Sequence, residues 1–283
     1  MTRILHLSDL HFGFHRAALI GPLLARVNRL GADLVVVTGD LTHRGRPGQY
    51  EQAADFLSRI GAPVLVVPGN HDVPLYNIPV RFLLPFAGYR RAIGPDLAPV
   101  RQAGGVRVIG INSADPFALQ RGVIRQGEIG RVAGSLDPLA VNVVALHHPL
   151  EHLAQVDKEL ARRAPEALAR FAAAGVRVVL SGHLHVWTTD ALRGQTAHPG
   201  VLQVQAGTAL CARITDRRNE FAVLDFDGPD VRIARHVAPM DRDGFGPPLH
   251  EHYALVGGIW TRRHQPAETP MLPGATETAF STA

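Results

Sequence analysis

The sequence predicts an α/β fold, and three observations carry that expectation. Apolar runs rich in β-branched residues alternate with stretches of helical spacing from the first residues onward. Several of those runs stop at glycine and then deliver aspartate, asparagine or histidine. After His185 the helical stretches vanish and short strand-like runs follow one another. The first two features describe parallel strands joined by right-handed crossovers, with chemistry gathered at strand ends. The third describes a second, more antiparallel sheet packed on the first.

Taken in order, residues 3–8 read as a buried strand, and 17–30 carry apolar residues at helical spacing up to Gly31. Residues 34–37 form a second strand, and 48–60 a helix with Phe56, Leu57 and Ile60 on one face. A third strand at 64–67 ends in Pro68-Gly69. From 73 to 99 five prolines interrupt any period, so a long loop is expected there, of the kind that serves as a lid or binding loop. Strands resume at 106–112, 141–146 and 176–180, with helices at 126–132 and 157–174, the latter kinked or broken at Pro165. The later strands are expected at 186–192, 201–205, 221–227 and 231–236.

The 283 residues fit one large domain at 1–238 with a C-terminal extension at 239–283, rich in Pro, Gly and Thr and expected to be partly disordered. Cys211 is the only cysteine, so no intramolecular disulfide can form and a reducing cytoplasm is the natural compartment. The first strand reaches His6 and Asp9 too soon for a signal peptide. No run approaches the ~20 apolar residues of a membrane span, which agrees with a cytoplasmic protein. The net charge is +4, carried almost wholly by arginine, with Lys158 the only lysine. That excess favours anionic ligands at long range. The arginines are scattered, with no block longer than a pair, so a stable nucleic-acid partner is not indicated.

The ends of five strands carry Asp9-Leu10-His11, Gly39-Asp40, Asn70-His71, His147 and His183-Leu184-His185. Residues two apart on an extended chain point the same way, so Asp9 can converge with His11, and His183 with His185. Glycines 39, 69 and 182 permit sharp turns just before the donors. Carboxylate and amide oxygens mixed with imidazole suit Mn, Fe, Zn or Co better than Ca or Mg. Seven donors exceed one transition ion and fit two, with Asp40 as the bridging carboxylate. Each motif alone has an ordinary explanation: Asp-x-His on a surface, Gly-Asp in a turn, His147-His148 in packing. Their order, each at a strand end, is what singles them out.

The set Asp9-x-His11, Gly39-Asp40 with Gly45, Gly69-Asn70-His71-Asp72, His147-His148-Pro149 and Gly182-His183-x-His185 resembles the calcineurin-like metallophosphoesterases. Within them it is most similar to the class III cyclic nucleotide phosphodiesterases, over roughly residues 3–227. The resemblance implies a four-layer α/β/β/α metallophosphoesterase sandwich of two mixed β-sheets flanked by helices. It assigns Asp9, His11, Asp40 and His185 to one divalent or transition metal ion. It assigns Asp40, Asn70, His147 and His183 to a second, with His147 favoured over His148 by the family's His-x-Pro pattern.

The expected activity is hydrolysis of a small-molecule phosphodiester, such as 3′,5′-cAMP, by in-line attack of metal-bound hydroxide. His71 would bind a phosphoryl oxygen or protonate the leaving oxygen, and Asp72 would orient its imidazole. Asn70, His71, His43, Arg44 and His148 are the candidate substrate contacts. Tyr76, Arg81, Phe82 and Tyr89 offer a wall for a base or an acyl chain. Serine/threonine phosphatases of the superfamily read Gly-Asp-x-Val-Asp-Arg-Gly and Gly-Asn-His-Glu. Here His43 and Asp72 replace the second Asp and the Glu, which disfavours that reading. Glycerophosphodiester or phospholipid hydrolysis stays open, because the same metals cut any accessible diester. A nuclease would need a capping domain, for which only the tail is available. A non-enzymatic metal-scaffolded interaction protein completes the alternatives. Residues 253–260, beside Arg262-Arg263, read as a docking strand, with membrane contact or a homodimer surface as rivals.

Overall fold

The computed structural model describes residues 1–153, 156, 158–189 and 198–263. Its strands are β1 (Thr2–Leu7), β2 (Leu34–Thr38), β3 (Val64–Val67), β4 (Val100–Ala103), β5 (Val106–Ile111), β6 (Val141–Leu146), β7 (Val176–Ser181), β8 (Thr188–Thr189), β9 (Leu202–Gln205), β10 (Arg218–Asp227), β11 (Asp230–Pro239), β12 (Leu249–Val256) and β13 (Ile259–Arg263). The helices are α1 (Ala17–Arg29), α2 (Pro47–Ser58), α3 (Ile78–Leu83), α4 (Ala87–Ala92), α5 (Gln126–Gly134) and α6 (Ala164–Ala174). The strands form two mixed sheets, ordered β13-β12-β11-β10-β1-β2-β3 and β4-β5-β6-β7-β9-β8.

Strand side chains alternate faces, so one strand serves two cores. Leu5, Leu7, Val35 and Val37 pack beneath Leu23 and Val27 of α1 and Tyr50 and Phe56 of α2. Their neighbours Ile4, Leu34 and Val36 point the other way and meet Val143, Ala145, Val178 and Leu180 across the two sheets. The outer face of the second sheet, with Val144 and Val179, packs on Ile129 of α5 and on Leu168 and Phe171 of α6. Four layers result. Each fully buried Val, Leu or Phe contributes about 1.5–3 kcal/mol. Burial on both faces is why the parallel strands read as unbroken apolar runs.

The partition of strands differs from the sequence expectation. The late runs divide between the sheets: β8 and β9 join the second, while β10 and β11 extend the first, β10 lying antiparallel to β1 and pairing Leu5 with Val223. The second sheet is built mainly from the parallel strands β5, β6, β7 and β9. β10 can join β1 because its residues split as those of β1 do, Phe221 and Val223 to one core, Ala222 and Leu224 to the other. Pairing continues through β12 and β13, so the sheet runs past residue 238 to Arg263. Tyr253 is buried with its hydroxyl on Thr189 and Glu251, and the Trp260 indole donates to the Arg177 carbonyl. Both aromatics of the candidate membrane contact are thus used in packing. The expected disorder at 264–283 lies outside the described residues.

Two further differences have local causes. The helix expected from 157 begins at Ala164, and Pro165 sits in its first turn, where a missing N–H costs nothing. The proline-broken stretch holds α3 and α4: Asn77 caps the N–H of Val80 at 3.1 Å and Pro79 occupies the first turn of α3. In the 186–192 run only Thr188–Thr189 is strand among the described residues. Among those residues no helix is long and apolar enough to cross a membrane.

Candidate metal centre

In each sheet the parallel strands point the same way, so their carboxyl ends share an edge, and the two edges meet. Asp9 N donates to Gly39 O at 3.1 Å and His11 N to Asp40 O at 2.9 Å, joining the loops after β1 and β2. His183 N donates to Asp9 Oδ2 at 3.0 Å, tying the second sheet to the first. The chain does not reach the site extended. Asp9, His11, Asp40, His183 and His185 all have positive φ, between 49° and 73°. They are five of the seven non-glycine residues with positive φ among those described. Convergence of Asp9 with His11, and of His183 with His185, therefore comes from left-handed turns and not from strand alternation. Such conformations cost about 1–3 kcal/mol each and persist where the surroundings impose them.

The glycines act differently from one another. Gly39 has φ +85° and needs the freedom of glycine. Gly69 is extended, with φ −103° and ψ −177°. There a Cβ would collide with the carboxylate and backbone nitrogen of Asp40. A Cβ on Gly182 would meet Ser8 Oγ and lie 2.5 Å from Asp9 Oδ2. Gly69 and Gly182 are required for close approach.

The donor atoms form two knots sharing one oxygen. In the first, Asp9 Oδ1 lies 3.1 Å from His185 Nε2 and 3.5 Å from His11 Nε2, and the two Nε2 atoms are 3.0 Å apart. In the second, His147 Nε2 lies 3.2 Å from Asn70 Oδ1 and 3.3 Å from His183 Nδ1. Asp40 Oδ2 stands 3.7 Å from His11 Nε2 and 3.3 Å from His147 Nε2.

The surrounding hydrogen bonds aim these atoms inward. Asp9 Oδ2 accepts from Ser8 Oγ and His183 N, leaving Oδ1 buried and without a hydrogen-bond partner. His147 Nδ1 lies 2.7 Å from the Thr38 carbonyl, which can only accept, so Nδ1 holds the proton and the Nε2 lone pair faces Asp40. His185 Nδ1 likewise donates to Asp216 at 2.7 Å. Asn70 Nδ2 donates to Leu119 O at 3.1 Å, which fixes its Oδ1 toward His147. Mixed nitrogen and oxygen donors, an orphaned carboxylate oxygen and lone pairs turned toward one another fit the binding of metal ions.

Electrostatics point the same way. Burial opposes charge on Asp9 and Asp40, yet His185 and His11 beside the first, and His147 and His71 beside the second, hold both well below the usual carboxylate range. Burial likewise opposes charge on His147, but Asp40 and Asp9 raise it to about 9. Against the same opposition, Asp9 and Asp216 raise His185 well above the ordinary histidine value. A field that draws protons onto imidazoles also draws cations. His183 goes the other way, lowered by burial and by His148, His147 and Lys158.

Several sequence expectations change here. Asp72 does not orient the His71 ring. Its carboxylate accepts from the backbone of Gly69, Leu41 and Thr42 and from the Thr42 hydroxyl, so it braces the loops after β2 and β3. The negative end it would offer is replaced by the His43 carbonyl, 2.6 Å from His71 Nδ1. Burial and Asp40 push the Asp72 carboxyl up to about 6. His148, expected as a substrate contact, has both ring nitrogens engaged within the protein: Ser113 Oγ meets Nδ1 at 2.8 Å and the Gln120 carbonyl takes Nε2 at 2.9 Å. Its ring packs on His183, with centroids 4.5 Å apart. His43 is half-buried and stacks on His71 at 5.5 Å, while Arg44 is exposed on the same loop. Burial and His71 bring His43 down to about 4, so it is neutral near pH 7. Arg81 and Tyr89 form no wall; Arg81 bonds the Ala118 carbonyl at 2.7 Å and Tyr89 the Val66 carbonyl at 3.1 Å.

Sequence reasoning missed Asp216, Lys158, Thr208 and Cys211. Asp216 ends a single 3-10 turn, Ile214–Asp216, with no motif around it. Lys158 donates to the His183 carbonyl at 3.0 Å, and its being the only lysine was the one available signal. Thr208 Oγ1 donates to Asp9 O at 2.7 Å. Cys211 belongs with His11 and His185 to a group whose ligand atoms lie within 4.8 Å of one another.

Comparison with known proteins identifies a family. The model of the calcineurin-like phosphoesterase family matches residues 2–187. A Synechococcus protein named "probable cyclic nucleotide phosphodiesterase" is 31% identical over 173 residues, 60% of this chain and 62% of the relative. A Mycobacterium tuberculosis protein named "cAMP/cGMP dual specificity phosphodiesterase" is 31% identical over 213 residues, 68% of this chain and 64% of the relative. The matched stretches thus span somewhat under two thirds of either relative. Among solved structures, a purple acid phosphatase from yellow lupin superposes with a TM-score of 0.60 at 15% identity, covering 88% of this chain and 53% of its own. At that identity the likeness speaks for the fold alone.

Proposed function

The chain belongs to the calcineurin-like phosphoesterase family, and from that premise we propose that it is a dinuclear-metal phosphodiesterase acting on a cyclic nucleotide such as 3′,5′-cAMP. The observation that carries the reading is Asp40 Oδ2, which stands within 3.7 Å of His11 Nε2 and 3.3 Å of His147 Nε2. One carboxylate oxygen placed between two donor sets would serve an ion on either side. Asp9, His11, Asp40 and His185 would hold one ion; Asp40, Asn70, His147 and His183 the other. When bound, Mn, Fe, Zn or Co would supply positive charge opposite the phosphoryl oxygens and acidify the attacking water.

The protein's own groups divide the remaining work. His71 Nδ1 donates to the His43 carbonyl, which leaves Nε2 to bind a phosphoryl oxygen or protonate the leaving alkoxide. His71 N also donates to Asp40 Oδ1 at 2.8 Å, so the acid is positioned by the same carboxylate that would serve both ions. Asp72 keeps the two loops in register. Lys158 brings an ammonium to the His183 side of the centre, where a diester anion is attracted. Substrate choice follows the relatives' printed names, both of which specify cyclic nucleotides.

A substrate panel on Mn-reconstituted protein tests the reading: 3′,5′- and 2′,3′-cyclic nucleotides, glycerophosphodiesters and a phosphomonoester. Preference for a 3′,5′-cyclic nucleotide is expected. Preference for the monoester would overturn the diesterase, and preference for a glycerophosphodiester would overturn the nucleotide.

A further inference from the structure

Beside the mouth of the metal centre lies an apolar lip that the proposed reaction does not use. Ile78, Phe82, Leu83 and Leu84 belong to α3 and its end; Phe117 and Leu119 belong to the loop after β5. All six side chains are exposed, Leu83 and Phe117 each at 78%. The two segments form one surface. Phe82 and Phe117 stack at 5.4 Å, and Arg81 spans the gap by bonding the Pro74 and Ala118 carbonyls. The surface joins the centre directly, because Leu119 O is the acceptor that fixes Asn70. Behind α3 it continues into a groove of about 300 Å³ lined by Tyr76, Val80 and Leu84.

Soluble proteins seldom leave so many large apolar side chains together without a partner. The charge around the lip says which partner. Arg46 and Arg91 are exposed on the α3 side, where Glu51 lines the same groove, and Arg121, two residues after Leu119, is exposed and pairs with the exposed Glu159 at 3.6 Å, so arginines outnumber acids three to two. Arg46 caps Tyr76 at 5.5 Å, the amphipathic pairing suited to an interface between apolar and wet surroundings. Apolar side chains bordered by an excess of arginine complement an anionic bilayer, where acyl chains take the former and headgroups the latter. We propose that this lip docks the protein on an anionic phospholipid surface, with the metal centre held at the headgroup plane.

The test is co-sedimentation of the metal-loaded, full-length protein with vesicles of phosphatidylcholine alone or of equimolar phosphatidylcholine and phosphatidylglycerol. Binding to the anionic vesicles is expected, weakening as salt screens the arginines. The double variant Leu83→Ser/Phe117→Ser should bind them about tenfold less or weaker, since two large apolar groups leave the bilayer. Both positions are so exposed that folding is not at stake, which an unchanged thermal midpoint confirms. Absence of binding, equal binding to neutral vesicles, or undiminished binding by the variant would each overturn the proposal. So would a parent dimer that the variant splits in sedimentation velocity, because the lip would then belong to a second copy. Turnover of a soluble chromogenic diester is read without vesicles, so failure of the hydrolase reading and failure of the docking proposal are separable.

Discussion

His185 reaches Asp216 across 31 residues of chain: its Nδ1 donates to the carboxylate at 2.7 Å while its Nε2 faces Asp9 Oδ1 at 3.1 Å. The carboxylate fixes the tautomer, points the free lone pair at Asp9 and makes it more basic. Asp216→Asn should therefore lower metal affinity by about 10–100-fold, the usual range for such partners. Titration of the apo-protein with Mn measures it. Unaltered affinity would show that Asp216 is merely adjacent.

His71 and Asp40 should separate cleanly. His71→Ala should reduce turnover by roughly 10²–10⁴ with both ions retained. The loss should shrink with a p-nitrophenyl diester, whose leaving group needs no proton. A loss of the same size with both leaving groups would assign His71 to phosphoryl binding instead of proton transfer. Asp40→Asn should lower metal content as well as rate, as metal analysis on the purified variant can establish.

Gly69→Ala tests close packing apart from backbone strain, since Gly69 has an ordinary φ of −103°. The new methyl collides with the Asp40 carboxylate and its backbone nitrogen, which cannot swing away. Destabilisation of about 1–3 kcal/mol is expected, with weaker metal binding. Urea midpoints and metal titration give the two numbers, and a variant normal in both would contradict the packing account.

Acid stability offers a test remote from the metals. His236 is buried and stacked on Phe221 at 4.7 Å; burial, with Arg26 and His250 nearby, lowers it from 6.5 to about 4. The unfolded chain binds that proton first as pH falls. Stability present above pH 6.5 is thus lost on the way down to pH 4, by about 2–3 kcal/mol for this one group. His236→Phe should show a smaller drop in urea midpoint between pH 7 and pH 4.5 than the parent protein. An equal drop would mean that His236 takes no part.

The strand-end donors could be read in advance because a buried parallel strand permits little but apolar residues. Asp40 or His147 at the end of such a run stands out against that background. The glycines were legible too, although for Gly69 and Gly182 the cause proved to be a neighbour's carboxylate and not their own dihedral angles. Asp72 was misread because adjacency in sequence suggested service to His71. Three backbone N–H groups and a hydroxyl from two loops claim its carboxylate instead.

The sequence by itself determined the alternation of β and α and singled out the seven candidate donors, since both are written in local pattern: period, punctuation and residue type. Only the tertiary structure decided the rest. It set which sheet receives the late strands, that His43 supplies a carbonyl to His71, that Asp216 and Lys158 border the centre, and that the apolar lip stands exposed beside it. Each depends on contacts between residues far apart in the chain, and long-range contacts leave no periodic trace. They arise when buried faces must find one another, as β10 finds β1 through Leu5 and Val223.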